Sequence, residues 1–347
     1  MRKLLVDDLR PGAMLARPVY DLRGVLMLNA GVVLDEERIL TLRKRGIPAV
    51  YVEEPGLEDL KPREFLSGST LARAIGILRP LFSSLEKGEG EILPSLVPDL
   101  RELVGRMAED LRSGPLEGLN LLQAALPEEY LLNHSLDVAF LSGALAISRG
   151  EREAEAVILG GLLHDLGLAI SGAWRRRPLS EEGRRQYDSH PVVGFRLLQD
   201  IREVSAFAKV AVLQHHERRD GSGFPSGVGG DKLHRVAEMV GLADAYVLMV
   251  EREGFSSRRL LPHEALEYLM SAAGFEFDHQ LVESFLRLIN PYPEGSRVRL
   301  SSGEEGFVVG QSGIPTRPLM RVVDGGEFRD LDLAAGGNQT KLIVELL

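Results

Sequence analysis

Apolar and polar positions change their rhythm twice along this chain. Over residues 1–54 the apolar stretches are short and β-favouring, as in Arg17–Tyr20, Gly24–Leu28 and Ala49–Val52. Pro11-Gly12, Arg23-Gly24 and Asn29-Ala30-Gly31 punctuate them, a pattern of short strands and turns with one short helix over Asp35–Arg45. Residues 55–115 form a charged, Pro-containing start followed by a mostly helical connector, interrupted at Gly88-Glu89-Gly90 and Pro94. From residue 116 to 290 apolar residues recur at three and four positions, with Val138, Leu141 and Leu145 on one such face, so this region is predicted to be a set of helices. Pro291-Tyr292-Pro293-Glu294-Gly295 closes it, and residues 291–347 alternate apolar and polar positions between Gly-rich turns. Arg297–Leu300, Gly306–Val309 and Leu319–Val323 therefore predict a small β module.

Composition narrows the chemistry. The chain has 347 residues, 27% of them charged and 44% hydrophobic, as a globular protein of two or three domains would. A net charge of −10 opposes nonspecific binding to a nucleic-acid duplex, though not binding of a small anion at a local positive site. Cysteine is absent, which removes disulfides and thiolate metal sites and leaves imidazole and carboxylate as the ligands for any metal. The N-terminus turns acidic by Asp7 without a signal-peptide core, and the apolar stretch Ala156–Ile170 is broken by His164-Asp165. No membrane span is expected, and a cytoplasmic location is.

The candidate chemistry is concentrated in one series. His134, His164-Asp165, His190, His215-His216 and Asp244 follow one another at intervals of 25 to 30 residues, and five of the eight histidines belong to it. That interval is about one helix plus its connection, so successive helices could each bring a ligand to a common centre. His134 or His190 alone would read as a surface or hydrogen-bonded residue, and the His190-Pro191 pair as a helix start. Asp244, however, is a carboxylate within the apolar run LADAYVLMV, and adjacent imidazoles at 215–216 need partners for both ring nitrogens. Seven ligands exceed one ion and suit two that share Asp165, whose two oxygens can each face a different metal.

The motifs HSLDVAFLS (134–142), LLHDLG (162–167), HPVVG (190–194), HHERRDGSGFP (215–225), ADAY (243–246) and GFEFDHQLVESF (274–285) resemble the HD-GYP family of HD-domain metal-dependent phosphohydrolases. The resemblance implies a mainly α, HD-type helical bundle flanked by small β-rich N-terminal and C-terminal modules. It implies a phosphodiesterase that hydrolyses cyclic di-GMP to pGpG or GMP through a dinuclear centre of iron or manganese and a bridging hydroxide. His134, His164, Asp165 and Asp244 would hold one ion; Asp165, His190, His215 and His216 the other. Gly221, Gly223, Phe224 and Pro225 would wall the substrate, Arg252, Arg258 and Arg259 follow Asp244 at distances where the family places basic ligand-binding residues, with Arg258 and Arg259 the candidates, and Arg235 could equally support structure or touch ligand.

This chain departs from the family at defined points. Leu168 replaces the lysine of the HD-x-G-Lys motif, and Phe224 replaces the tyrosine of GYP. Tyr130 stands four residues before His134, where members with a third metal carry glutamate, while Glu129 is one residue off, so two ions are expected. The Trp174–Arg177 segment could supply arginines in place of the lost lysine, or be an exposed basic turn. These substitutions keep open a weakly active or inactive cyclic di-GMP sensor, and the metal pair alone is equally compatible with a phosphohydrolase of another nucleotide. The terminal modules are candidate surfaces for a second copy of the chain or a signalling partner. His234, His263 and His279 lie off the series and are expected at the surface.

Overall fold

The computed structural model describes residues 2–21, 25–47, 49–53, 57, 65–114, 116–121, 130–172, 180–251, 260–324 and 327–347. Trp174–Arg177, Arg252, Arg258, Arg259 and Glu129 lie outside the described residues.

The protein is mainly α. At the N-terminal end β1 (Arg2–Leu5) pairs antiparallel with β4 (Ala49–Val52), and β2 (Val19–Tyr20) with β3 (Leu26–Leu28). Between them lies α1 (Glu36–Lys44), opened by Asp35, whose carboxylate accepts the Arg38 backbone N–H. Leu15, Leu34, Leu42, Val50 and Val52 form a small apolar core under these elements. At the other end β5 (Arg297–Leu300), β6 (Glu305–Gly310), β7 (Leu319–Asp324), β8 (Glu327–Asp332) and β9 (Ile343–Leu346) make one antiparallel sheet in the order β8-β7-β6-β5-β9. Its alternation buries Val298, Leu300, Val308, Met320 and Val322 on one face.

Between the two modules lies a bundle built from α2 (Gly68–Glu86), α3 (Leu93–Ser113), α4 (Tyr130–Ser148), α5 (Ala154–Leu163), α6 (Leu166–Ser171), α7 (Glu181–Leu198), α8 (Ala206–Gln214), α9 (Arg235–Val250), α10 (Pro262–Ala272) and α11 (His279–Leu288). Serine and aspartate hydroxyl or carboxylate oxygens at Ser67, Ser180, Ser205 and Asp278 accept the N–H three residues on and start α2, α7, α8 and α11. Leu78, Leu81, Leu103 and Met107 of α2 and α3 share a single apolar core with Phe140, Leu162, Val240 and Phe285. The stretches Tyr130–Ser148 and Ala154–Ser171 are long and apolar enough to cross a membrane, more so than the sequence reading allowed. Their windows are 83% and 78% buried within the protein, and a helix enclosed by neighbours is apolar all round for that reason.

Two close approaches set where the helices carry their polar side chains. A Cβ on Gly167 of α6 would stand 2.1 Å from the His190 carbonyl oxygen of α7, and one on Gly241 of α9 would stand 2.2 Å from that of His215. Only hydrogen fits at either position, so the backbones of α6 and α9 reach those of the histidine-bearing segments. Gly167→Ala is expected to lower stability by about 1–3 kcal/mol, the usual cost of overpacking. Urea unfolding checks this, and an unchanged midpoint would show that the contact is slack.

Candidate metal centre

The helix break at 164–165 turns two polar side chains into the bundle. His164 ends α5, Asp165 begins α6, and both are buried. His134 comes from the second turn of α4, His190 from α7, Asp244 from α9, and His215 and His216 from the end of α8. All seven side chains from the sequence series are within 5% of full burial, and the structure brings all of them together.

Backbone carbonyls orient three of the rings. His164 Nδ1 is 2.8 Å from the Gly161 oxygen, His215 Nδ1 is 2.9 Å from the Val212 oxygen, and His190 Nδ1 meets the Tyr187 oxygen. A carbonyl only accepts, so each Nδ1 carries a hydrogen and each Nε2 is turned inward, where it can meet a proton or an ion. His190 Nε2 and His215 Nε2 are 3.1 Å apart, close enough to share one.

Asp165 divides its oxygens between two groups. Oδ2 is 3.4 Å from His164 Nε2 and 3.7 Å from His134 Nε2; Oδ1 is 3.2 Å from His190 Nε2 and 4.0 Å from His215 Nε2. Asp244 Oδ1 lies 3.0 Å from His134 Nε2, and its Oδ2 lies 3.4 Å from His216 Nδ1. His164 Nε2 and Asp244 Oδ2 are buried with no hydrogen-bond partner among the described residues. The donor atoms of His134, His164 and Asp165 lie within 4.8 Å of one another, as do those of His190, His215 and His216. Buried polar atoms without a hydrogen-bond partner, imidazole nitrogens facing one another and a carboxylate shared between two clusters are what divalent cations would satisfy. The residues fit a pair of ions.

The electrostatics of the two groups differ. Burial pulls the His134 pKa down, but the Glu251, Asp244 and Asp165 carboxylates together outweigh it and leave it well above the ordinary histidine value. Burial opposes ionisation of Asp165 too, yet His164 and His190 hold its pKa well below the carboxylate range. Asp244 is lowered against its own burial, chiefly by His134. At His215, burial first, then His164 and His190, bring the pKa to about 3. His216 is likewise held well below normal, by burial and then His215.

Three surrounding residues were not singled out from the sequence. Glu251, at the end of α9, places its oxygens 3.1 and 3.2 Å from His134 Nδ1. Tyr187 precedes His190 by one helical turn and puts its hydroxyl 3.4 Å from His216 Nε2. Glu217, the carboxylate beside the histidine pair, accepts the Ser226 and Val228 N–H groups at 2.8 and 3.0 Å and so pins the 221–228 loop. Asp244 and Glu251 are seven residues apart, two turns on one helix face, a spacing that could have exposed Glu251.

Gly221 adopts a φ of +79°, and a Cβ on Gly223 would meet the His216 carbonyl oxygen at 2.3 Å, so both glycines are needed by the turn itself. Phe224, followed by a cis bond to Pro225, lays its ring 4.4 Å from that of His216. Leu168 is 1% exposed and part of the apolar core. Tyr130 stacks on the His134 ring at 5.4 Å and 15°. Arg235 pairs with Glu151, Glu238 and Asp278. His263 differs from its expected surface role, because its Nδ1 meets the buried Tyr292 hydroxyl at 2.5 Å. His234 accepts the Val236 N–H at the start of α9.

Residues 119–281 match the family profile described as HD domain. The chain is 31% identical over 221 residues to the cyclic di-GMP phosphodiesterase PA4108 of Pseudomonas aeruginosa, covering 61% of this chain and 52% of that protein. It is 31% identical over 187 residues to a cyclic di-GMP phosphodiesterase of Thermotoga maritima, covering 52% and 50%. The response regulator RpfG of Xanthomonas campestris pv. campestris, also named a cyclic di-GMP phosphodiesterase, is 31% identical, with 43% and 41% covered. The chain thus spans about half the length of these curated relatives or less. Among solved structures, Bd1817, a HDG"Y"P protein from Bdellovibrio bacteriovorus, matches with a TM-score of 0.51 at 19% identity, covering 82% of this chain and 97% of that one, a likeness of fold.

The contrast between the two clusters is measurable as protons. The raised pKa makes an ion beside His134 compete with a proton at that ring, whereas the lowered values leave His215 and His216 open to an ion. Affinity on the His134 side should therefore rise with pH, by about tenfold per unit while His134 stays protonated in the ion-free protein. Calorimetric Mn(II) titrations in buffers of different ionisation enthalpy should show one proton-coupled ion and one uncoupled. Two ions loading without buffer dependence would contradict the assignment.

Proposed function

We propose, since the chain carries an HD domain of the HD-GYP kind, that it is a metal-dependent phosphodiesterase acting on cyclic di-GMP and yielding pGpG or GMP. The observation that carries this reading is the split of the Asp165 oxygens between His134/His164 and His190/His215. In it, His134, His164, Asp165 and Asp244 hold one divalent ion, and Asp165, His190, His215 and His216 the other. Iron and manganese suit an all-imidazole and carboxylate donor set. The ions, when bound, supply a water of lowered pKa and positive charge against the phosphoryl oxygens.

The chain's own residues do the rest. Carbonyl anchors on Nδ1 keep His164, His190 and His215 from rotating, so the donors are set before substrate arrives. Glu217 fixes the 221–228 loop, and Phe224 lies against the His216 ring. We place Gly221, Gly223, Phe224 and Pro225 at the edge of the substrate space, with Arg258 and Arg259 as candidate phosphate contacts. The family's lysine has no counterpart at Leu168, whose side chain lies in the core, so a cation for the leaving oxygen has to come from another part of the chain.

Purified protein loaded anaerobically with Fe(II) or Mn(II) should convert cyclic di-GMP to pGpG on a chromatographic assay. Asp165→Ala should lower the rate by about 10³-fold or more and remove both ions by elemental analysis. Tight binding of the dinucleotide without turnover would replace the enzyme with a sensor. Turnover of a generic phosphodiester alone would change the substrate but not the chemistry.

A further inference from the structure

We propose that Glu251 is a positioning residue that holds His134 with Nε2 turned toward the ion site and so strengthens binding of the ion on the His134 side. This rests on the two-ion reading above. His164, His190 and His215 anchor Nδ1 on neutral backbone carbonyls. Among the described residues His134 has no such carbonyl contact; its Nδ1 faces both oxygens of the Glu251 carboxylate, at 3.1 and 3.2 Å. A charged acceptor makes a stronger hydrogen bond than a carbonyl and raises the donor strength of the opposite ring nitrogen.

Among the described residues no other hydrogen bond or ion pair directs the Glu251 side chain inward. Its backbone N–H closes α9 on the Val247 oxygen, and this cap would form with any residue. The side chain is only 11% exposed, held inward at the end of a helix where solvent is the easier place for a carboxylate. Seven residues separate it from Asp244, so one face of α9 sends one carboxylate to each nitrogen of a single imidazole: Asp244 to Nε2 at 3.0 Å and Glu251 to Nδ1. Tyr130, stacked on the same ring at 5.4 Å, closes off the remaining freedom to turn. His134 is thus fixed by hydrogen bond, charge and stacking together.

The test is metal binding by the full chain, made metal-free and titrated with Co(II) by calorimetry and visible absorption. Wild type should take up two ions. Glu251→Ala should keep one at wild-type affinity and weaken the other by about 10–100-fold, with a changed Co(II) spectrum. Glu251→Gln, whose amide oxygen still accepts the Nδ1 hydrogen without the charge, should lie between, and it answers the question if the alanine variant does not fold. His134→Ala should weaken the same ion. Wild-type affinities for both ions in Glu251→Ala, or an equal loss at both, overturn the proposal. So does a lower melting temperature of the metal-free variant with both affinities intact, which would make Glu251 a structural cap. A wild-type chain that binds fewer than two ions would instead refute the two-ion reading itself.

Discussion

A carboxylate that is almost wholly buried and ionised constrains everything around it. Asp165 is 3% exposed, and an isolated charge there would cost several kcal/mol. It is tolerated because each oxygen has imidazole nitrogens on its own side. Those nitrogens are useful partners only if their rings cannot turn away. The backbone carbonyls one turn earlier prevent that for His164, His190 and His215. Each of those carbonyls is placed by the helix that carries its ring, while Gly167 and Gly241 let α6 and α9 approach the His190 and His215 backbones. Packing, tautomer and charge are therefore one problem solved together.

The apolar helices are the other half of that solution. α4 and α5 are enclosed by α3, α9 and each other, and most of their buried side chains are apolar. In such surroundings each electrostatic interaction is stronger than in water, and each unpartnered atom is costlier. The orphaned His164 Nε2 and Asp244 Oδ2 are thus a standing cost of the ion-free protein. Ions that satisfied them would stabilise the folded chain as well as equip it.

Much of this was written in the order of residues. Asp35 marked the start of α1, Ala49–Val52 matched β4, and the alternation after Arg297 marked β5 to β7. The ligand series was legible because one helix plus a connection separates each member, a spacing that survives any detail of packing. What sequence reading missed depends on contacts between helices. Glu251 meets His134 across 117 positions, and Tyr187 meets His216 across 29, and neither pairing has a local signature. Leu168 was read as a lost cation beside the substrate, and the structure adds that its side chain belongs to the core. His263 was taken for a surface residue because nothing near it in sequence announces Tyr292, on the far side of α11.

The two halves of the centre are built from unlike materials, and that difference follows from helix α9. Asp244 and Glu251 both come from it, so the carboxylates accumulate around His134. The opposite half draws on α7 and the end of α8, which offer His190, His215 and His216, with Asp165 Oδ1 beside the first two and Asp244 Oδ2 beside the third. Carboxylate oxygen favours harder cations and imidazole the more covalent transition metals, so the same ion would feel a different ligand field on each side. A symmetric pair of ions would need matched donors. This arrangement instead sets carboxylates around His134 on one side and, on the other, a set of rings two of which are held in place by peptide carbonyls, with Asp165 and Asp244 each reaching both groups.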